Sequence, residues 1–282
     1  MTVAAPISPI PGELLDLLAC PEDGGTLSGW NGENAEGELT CAACRRAFPV
    51  RDGLPRLLPD ALRSATDAEY SEKQREMAAR DAQVAQYDAN PALRLFSIPE
   101  IPLTLRYLAL EPQHLMLEGG CGTGRMTPHF ARRVRGLVCA DISVESLKAA
   151  RAKLPADLGS RTLFVQADLC HLPLVPGAFD RVGSFQVLEH LPTPDARARM
   201  VAELARVTKP RTEGGRIALS AYRWGAPVPL LARKSGHHAG GIPFFRATWP
   251  ELSAMLAPHI TLGARTGALL YHFLVWGRKR MD

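Results

Sequence analysis

No stretch of this 282-residue chain approaches the ~18 consecutive apolar residues that mark a membrane-spanning helix, so a membrane span is not expected. Lys and Arg are missing before Cys20, and Glu13 and Asp16 interrupt the apolar residues there. Leu17-Leu18-Ala19-Cys20 resembles a lipoprotein cleavage box. A secretory signal, however, needs a basic start and an uninterrupted apolar run, so a cytoplasmic protein is expected. Cysteine is scarce, six in all; in a reducing compartment these should be thiols or metal ligands rather than disulfides. The chain has no internal repeat or low-complexity tract, which excludes a repeat architecture. Pro and Gly are absent from residues 61–88, a charged stretch rich in Ala, Glu, Arg and Gln. It reads as a linking helix, ending near Asn90-Pro91 because the residue before proline avoids helical geometry.

Hydrophobic residues make up 46% of the chain and charged residues 22%, ordinary for a globular protein with a sizeable core. The length allows one large domain or two smaller ones. Charge is uneven. Residues 1–60 hold 4 Lys and Arg against 9 Asp and Glu, whereas residues 206–282 hold 12 against 3. The net charge of +4 therefore comes from the C-terminal part. Three segments are expected: 1–60, a small turn-rich unit; 61–110, a helical linker and lid; and 111–282, the main domain.

The main domain is organised around HLMLEGGCGTG, His114 to Gly124. Leu115-Met116-Leu117 reads as a buried strand ending in Glu118. Gly120, Gly122 and Gly124 then let a ligand approach backbone N–H groups that a Cβ would shield. The spacing G-x-G-x-G differs from the dinucleotide fingerprint G-x-G-x-x-G. A carboxylate beside the loop would repel a pyrophosphate and suit a ligand with a positive amino group. Further apolar runs end in Asp141 and in Ala167-Asp168, and FDRVGSF leads into Gln186-Val187-Leu188-Glu189-His190. An acid ending the second strand can accept both hydroxyls of a ribose; Asp141 could instead cap the next helix. Helices are expected near 125–134, 143–153, 194–207 and 249–256, a fifth strand near 217–221, and closing strands near 259–264 and 268–276. Strands alternating with helices argue for a mostly parallel sheet.

These strand-end signals, in this order, resemble class I S-adenosylmethionine-dependent methyltransferases, most closely the small-molecule, ubiquinone- and menaquinone-type branch, over residues 70–282. The resemblance implies an α/β Rossmann-like fold with a mostly parallel seven-stranded sheet. It implies cofactor contacts from Glu118, Gly119, Gly120, Cys121, Gly122, Asp141, Ile142, Ala167, Asp168, Leu169 and Gln186, with Tyr87 closing over the cofactor. Methyl transfer from a sulfonium needs in-line positioning and exclusion of water. An oxygen, nitrogen or acidic carbon nucleophile can also need a base. His190 is the candidate, with a structural hydrogen-bonding role as the alternative. The long connection 222–247 offers an aromatic substrate wall of Tyr222, Trp224, His237, His238, Phe244 and Phe245.

The N-terminal unit carries Cys41-Ala42-Ala43-Cys44, and Cys20-Pro21-Glu22-Asp23 occupies the place of its partner, with Asp for the second cysteine. The 17 residues between Asp23 and Cys41 suit the zinc-ribbon interval, and zinc accepts carboxylate as well as thiolate. Leu14 to Leu58 resembles the Trm112-type zinc ribbon. Two readings stand: a structural zinc on Cys20, Asp23, Cys41 and Cys44, or unmetallated thiols in a ribbon held by apolar residues. Chelation is expected to spare cofactor binding.

Function reduces to three classes. The first is methyl transfer to a small, aromatic or hydrophobic metabolite. The second is RNA methylation, because a zinc ribbon also precedes the catalytic domain of ribosomal RNA guanine methyltransferases. An acidic ribbon counts against RNA contact there, while the basic C-terminal part could meet phosphates. The third is a non-catalytic cofactor-binding partner, against which the intact acids argue. Substrate identity and oligomeric state are not legible in the sequence.

Overall fold

The computed structural model describes residues 9–65, 67–89, 91–225, 233–238, 240–268 and 271–280. A one-turn helix, α1 (Gly12–Leu15), leads into four short strands: β1 (Leu27–Gly29), β2 (Gly37–Cys41), β3 (Ala47–Arg51) and β4 (Leu54–Leu57). They form an antiparallel meander. Helices α2 (Asp60–Arg63), α3 (Ala68–Ala89) and α4 (Pro91–Leu108) follow. Strands and helices then alternate: β5 (Leu115–Gly119), α5 (Thr127–Ala131), β6 (Gly136–Asp141), α6 (Val144–Ala152), α7 (Ala156–Gly159), β7 (Thr162–Ala167), β8 (Arg181–Phe185), α8 (Pro194–Val207) and β9 (Arg216–Tyr222). A small hairpin, β10 (Ser235–His237) with β11 (Pro243–Phe245), helix α9 (Trp249–Leu256), β12 (Ile260–Ala268) and β13 (His272–Lys279) complete the chain. Among the described residues, no helix is long and apolar enough to cross a membrane.

The main sheet runs β1-β2-β3-β4-β7-β6-β5-β8-β9-β13-β12. Residues after 110 supply seven of these strands, as expected. The correction is that the N-terminal meander continues the same sheet, making it 11-stranded. β4 pairs in parallel with β7, Arg56 opposite Gln166 and Leu57 opposite Ala167. Without β4, β7 would be an open edge with unpaired N–H and C=O groups. One apolar cluster joins Leu14, Phe48 and Val50 of the N-terminal unit to Leu163, Val165 and Leu169 of the main domain. A unit too small for a core of its own thus shares its neighbour's.

Burial on both faces explains the near-continuous apolar strands: every residue of β5, β6, β7 and β8 is buried. α8 starts where Thr193 Oγ1 accepts from Ala196 N at 3.0 Å, with Pro194 in its first turn. It buries Ala196, Met200, Val201, Leu204 and Ala205, an apolar stripe at helical spacing. α9 carries a full capping box between Thr248 and Glu251. The helices expected at 194–207 and 249–256 are found at those bounds. The one expected at 125–134 contracts to Thr127–Ala131. The single linking helix is two pieces, α2 and α3. β5 has β6 on one side and β8 on the other, so strand order reverses there. In such sheets the crevice beyond the carboxyl ends at the reversal is where ligands bind.

Candidate functional site

Above that reversal lies a cleft whose empty space, counting the solvent at its mouth, is about 1090 Å³. Glu118, Gly120, Cys121, Gly122, Asp141, Ile142, Ala167, Asp168, Leu169, Gln186 and His190 line it, with Tyr87 on the facing wall. Gly119 does not. A Cβ on it would meet the side chains of Leu169 and Leu204, so Gly119 faces the core.

Two glycines of the loop are required by geometry. Gly120 has φ +73, and a Cβ there would lie 2.2 Å from Val187 Cγ2. Gly124 has φ +82, and a Cβ would lie 2.8 Å from the Ala150 backbone. Both need the left-handed region and the close approach that only glycine permits cheaply.

Glu118 is buried beneath the loop, and its Oε2 accepts from Thr127 Oγ1 at 2.7 Å. Loss of solvent pushes its carboxyl up to about 8, since burial disfavours the charged form. A cationic ligand group would draw it back to the carboxylate. Asp141 accepts from Gly122 N at 2.7 Å through Oδ2 and from Ser143 N at 2.9 Å through Oδ1. Half of its roughly four lone-pair sites remain for a ligand. The cap of α6 is Ser143, whose Oγ accepts from Ser146 N at 3.1 Å, so the capping alternative for Asp141 is set aside.

Asp168 is more occupied than expected. Its Oδ1 accepts from Cys170 N at 2.9 Å, its Oδ2 from Lys73 Nζ at 2.8 Å, and His171 Nδ1 stands 3.4 Å from Oδ2. Burial raises this carboxyl, but His171 and Lys73 outweigh it and hold it at about 2.

Lys73 was not legible as a site residue, and neither were Glu76, Arg80, Gln83 and Val84. All five line the cavity from α3. Lys73, Glu76, Arg80, Gln83 and Tyr87 stand three or four residues apart, with Val84 beside Gln83, so all lie on one helix face. The signal was present in that spacing, but the surrounding charge made the helix read as a linker and lid rather than as a source of polar cavity groups. Glu100 was missed too. It is 1% exposed and accepts from Arg125 Nη1 and Gln186 Nε2 at 2.8 Å each, and from Ser220 Oγ at 3.2 Å. A single acid within Ile98-Pro99-Glu100-Ile101-Pro102 was its signal. Gln186, whose N donates to Ser220 Oγ at 3.0 Å and whose Nε2 donates to Glu100, has φ 59, a costly conformation for a residue with a Cβ.

His190 is buried, and its Nδ1 lies 2.8 Å from Pro243 O. A carbonyl only accepts, so Nδ1 carries the proton. Nε2 is left as an acceptor on a ring that lines the cavity. Burial, with Arg80 nearby, pushes His190 well below the ordinary histidine range, so the ring is neutral.

None of the six residues expected as a substrate wall lines this cavity. Tyr222 and His238 pack behind His190, with ring centroids 5.6 Å away in each case. Phe244 stacks on His238 at 4.7 Å. Phe245 lies under the Arg197 guanidinium at 4.4 Å, and His237 is exposed, 3.5 Å from Glu72. Trp224 N donates to Ala247 O at 2.8 Å. The expected connection holds the β10–β11 hairpin, which buttresses His190; residues 226–232 and 239 lie outside the described residues.

About the ribbon, the ligand atoms of Cys20, Asp23, Cys41 and Cys44 all lie within 4.8 Å of one another. Cys20 Sγ and Cys44 Sγ are 3.7 Å apart and Cys41 Sγ is 3.4 Å from Asp23 Oδ1. Two sulfurs at ~2.3 Å from a tetrahedral zinc would be about 3.8 Å apart. Gly25 N donates to Asp23 Oδ1 at 2.8 Å, which orients the carboxylate. A Cβ on Gly25 would lie 2.8 Å from Cys41 Sγ. The donor set fits zinc.

Residues 117–218 match the family model for a methyltransferase domain, and residues 13–53 match the model for Trm112p-like proteins. Methyltransferase GfsG from Streptomyces halstedii is 34% identical over 109 residues, 38% of this chain and 37% of that protein. The chain spans 31% to 58% of the length of the curated relatives it matches. A Burkholderia thailandensis 1,6-didemethyltoxoflavin-N1-methyltransferase, solved with 1,6-didemethyltoxoflavin and S-adenosylhomocysteine, superposes with TM-score 0.59 at 20% identity, covering 76% of this chain and 92% of that one. A chain from a complex of the Haloferax volcanii Trm112 methyltransferase activator with a methyltransferase superposes with TM-score 0.58 at 15% identity, covering 72% and 98%.

Proposed function

We propose that this chain, which carries a methyltransferase domain joined to a Trm112-like ribbon, transfers a methyl group from S-adenosylmethionine to a small-molecule acceptor. The carrying observation is the grouping of Glu118, Gly120, Gly122, Asp141, Asp168 and His190 around one cavity at the sheet's reversal. Glu118 and the loop would meet the cofactor's methionine part, Asp141 its ribose and Asp168 its adenine. Gln186 would face the sulfonium. Tyr87 and the rest of α3 would cover the cofactor and exclude water.

His190 is proposed as the base. Its Nε2 would accept the proton of an oxygen, nitrogen or acidic carbon nucleophile while Pro243 O holds the tautomer. The leaving group is a neutral thioether, so positioning and water exclusion supply the remainder of the rate.

A small acceptor suits a cavity roofed by a helix better than RNA does. Among the described residues, none of the basic C-terminal part lines the cavity. Arg216 and Arg265 there stack on Trp276 and Trp249, each at 4.2 Å.

In the ribbon, Cys20, Asp23, Cys41 and Cys44 would hold a structural zinc that closes the meander against β7. The function is tested by incubating the protein with methyl-labelled S-adenosylmethionine and either a metabolite extract or total RNA. Label in the small-molecule fraction supports the reading. Label confined to RNA, or none in either, contradicts it.

A further inference from the structure

Lys73 is 1% exposed, and its Nζ donates to Asp168 Oδ2 at 2.8 Å across 95 residues of sequence. Taking an ammonium and a carboxylate out of water is costly, and well-packed apolar residues would often serve stability as well. α3 has other polar moorings. Thr193 Oγ1 donates to Glu69 Oε2 at 2.8 Å on one side. Ser143 Oγ donates to Asp81 Oδ1 at 2.5 Å on the other. Lys73 and Asp168 both line the cavity, so they present charged donor and acceptor groups side by side to whatever fills it.

The valences are specific. Asp168 has about four lone-pair sites, and Cys170 N, Lys73 Nζ and His171 Nδ1 stand at three of them. One remains for an incoming N–H. Lys73 Nζ has three N–H groups; one meets Asp168, Glu69 Oε1 stands 3.4 Å away, and the third has only the Cys170 thiol, a weak acceptor that a ring nitrogen would displace. Acceptor beside donor complements a heterocycle edge with an amine next to a bare ring nitrogen. Adenine has such edges.

We propose that Lys73 is a specificity-determining residue of the cofactor subsite, donating to the adenine ring nitrogen beside the exocyclic amine while Asp168 accepts from that amine. This rests on the S-adenosylmethionine reading above. A carboxylate alone would recognise the amine but not the ring nitrogen next to it; the buried lysine adds that second requirement.

The test is calorimetry of the full chain with S-adenosylhomocysteine and its 1-deaza and 7-deaza analogues, in which one ring nitrogen becomes CH. Wild-type protein should bind one of the two analogues at least about tenfold more weakly. In Lys73→Met that penalty should fall to within twofold, and in Lys73→Arg it should return. Should Lys73→Met not fold, Asp168→Asn is compared with Lys73→Met/Asp168→Asn, which removes both charges. The penalty should then persist in the single variant and vanish in the double. An undiminished penalty without Lys73, or tighter binding of S-adenosylhomocysteine by Lys73→Met, overturns the proposal alone. The second outcome would mark the lysine as a plug. Wild-type protein that binds no S-adenosylhomocysteine overturns the cofactor reading as well.

Discussion

His190 donates its Nδ1 proton to the carbonyl of Pro243, 2.8 Å away. One backbone oxygen on the β10–β11 hairpin thereby fixes the tautomer of a ring that lines the cavity. Tyr222 and His238 pack on the same ring, so the connection expected to form a substrate wall instead orients the proposed base.

Replacing His190 by Asn should lower kcat by about 10²–10⁴-fold, the usual contribution of a positioned base. S-adenosylhomocysteine affinity should stay within twofold of wild type. Parallel calorimetry and turnover measurements check this. A fall in cofactor affinity with kcat preserved would assign the residue a structural role.

The empty protein should lose stability as pH rises from 6.5 to 8. Burial lifts both Glu118 and Glu189 from 4.5 to about 8. Between those limits the folded state keeps each proton and the unfolded chain does not, so each carboxyl costs about 2 kcal/mol over that 1.5-unit interval. His272, pushed down to about 4 by burial, acts oppositely below pH 6.5, where the unfolded chain binds the proton. That histidine offsets one of the two carboxyls up to pH 6.5 and neither above it, so denaturant melts should show a steeper loss of stability per pH unit above 6.5 than below. Glu118→Gln should remove about half of the loss toward pH 8; an unchanged slope would count against a protonated Glu118.

Gly120→Ala should cost at least about 1 kcal/mol of stability through the left-handed backbone alone, and more through the contact with Val187. Val187→Ala in the same chain should recover the contact part and leave the backbone part. Melting curves of the wild type and the two variants decide it. Full recovery would show that φ at this position carries no strain.

Elemental analysis should find about one zinc per chain, and Cys41→Ser/Cys44→Ser should hold none. The structure alters one expectation. Leu57 pairs with Ala167, the neighbour of Asp168, so chelation should loosen the adenine end of the cavity as well as the ribbon. Calorimetry before and after chelation should show weaker S-adenosylhomocysteine binding. Zinc retained by the double variant would rule out the ligand set.

What the sequence shows and hides follows from range. Apolar runs ending in Glu118, Asp141 and Asp168 report local strand geometry, so the parallel strands and the acids at their ends were legible, while the order of the sheet was not. The ribbon spacing was likewise local, and Asp23 joins the three cysteines as expected. The roof was legible only as a lid carrying Tyr87. Lys73 is buried chiefly against Asp168, and Glu100 against Arg125, Gln186 and Ser220, partners far along the chain. Without them α3 resembles any solvated helix. The continuation of β4 onto β7 was hidden for the same reason, since a two-residue parallel register leaves no periodic mark. Tyr222, His238 and Phe244 were read as one wall because they share an aromatic connection; their facing behind His190 depends on a hairpin whose pairing is tertiary.

Calorimetry of the metal-replete full chain with S-adenosylhomocysteine, set against NAD, tests the central claim most directly. Binding should be saturable at one site per chain, weakened at least about tenfold by Asp141→Ala, which removes a charged acceptor from the ribose. It should release protons near pH 7 as Glu118 ionises against the ligand's amino group. NAD should bind far more weakly. Tighter binding of NAD, or S-adenosylhomocysteine binding indifferent to Asp141, would contradict the account.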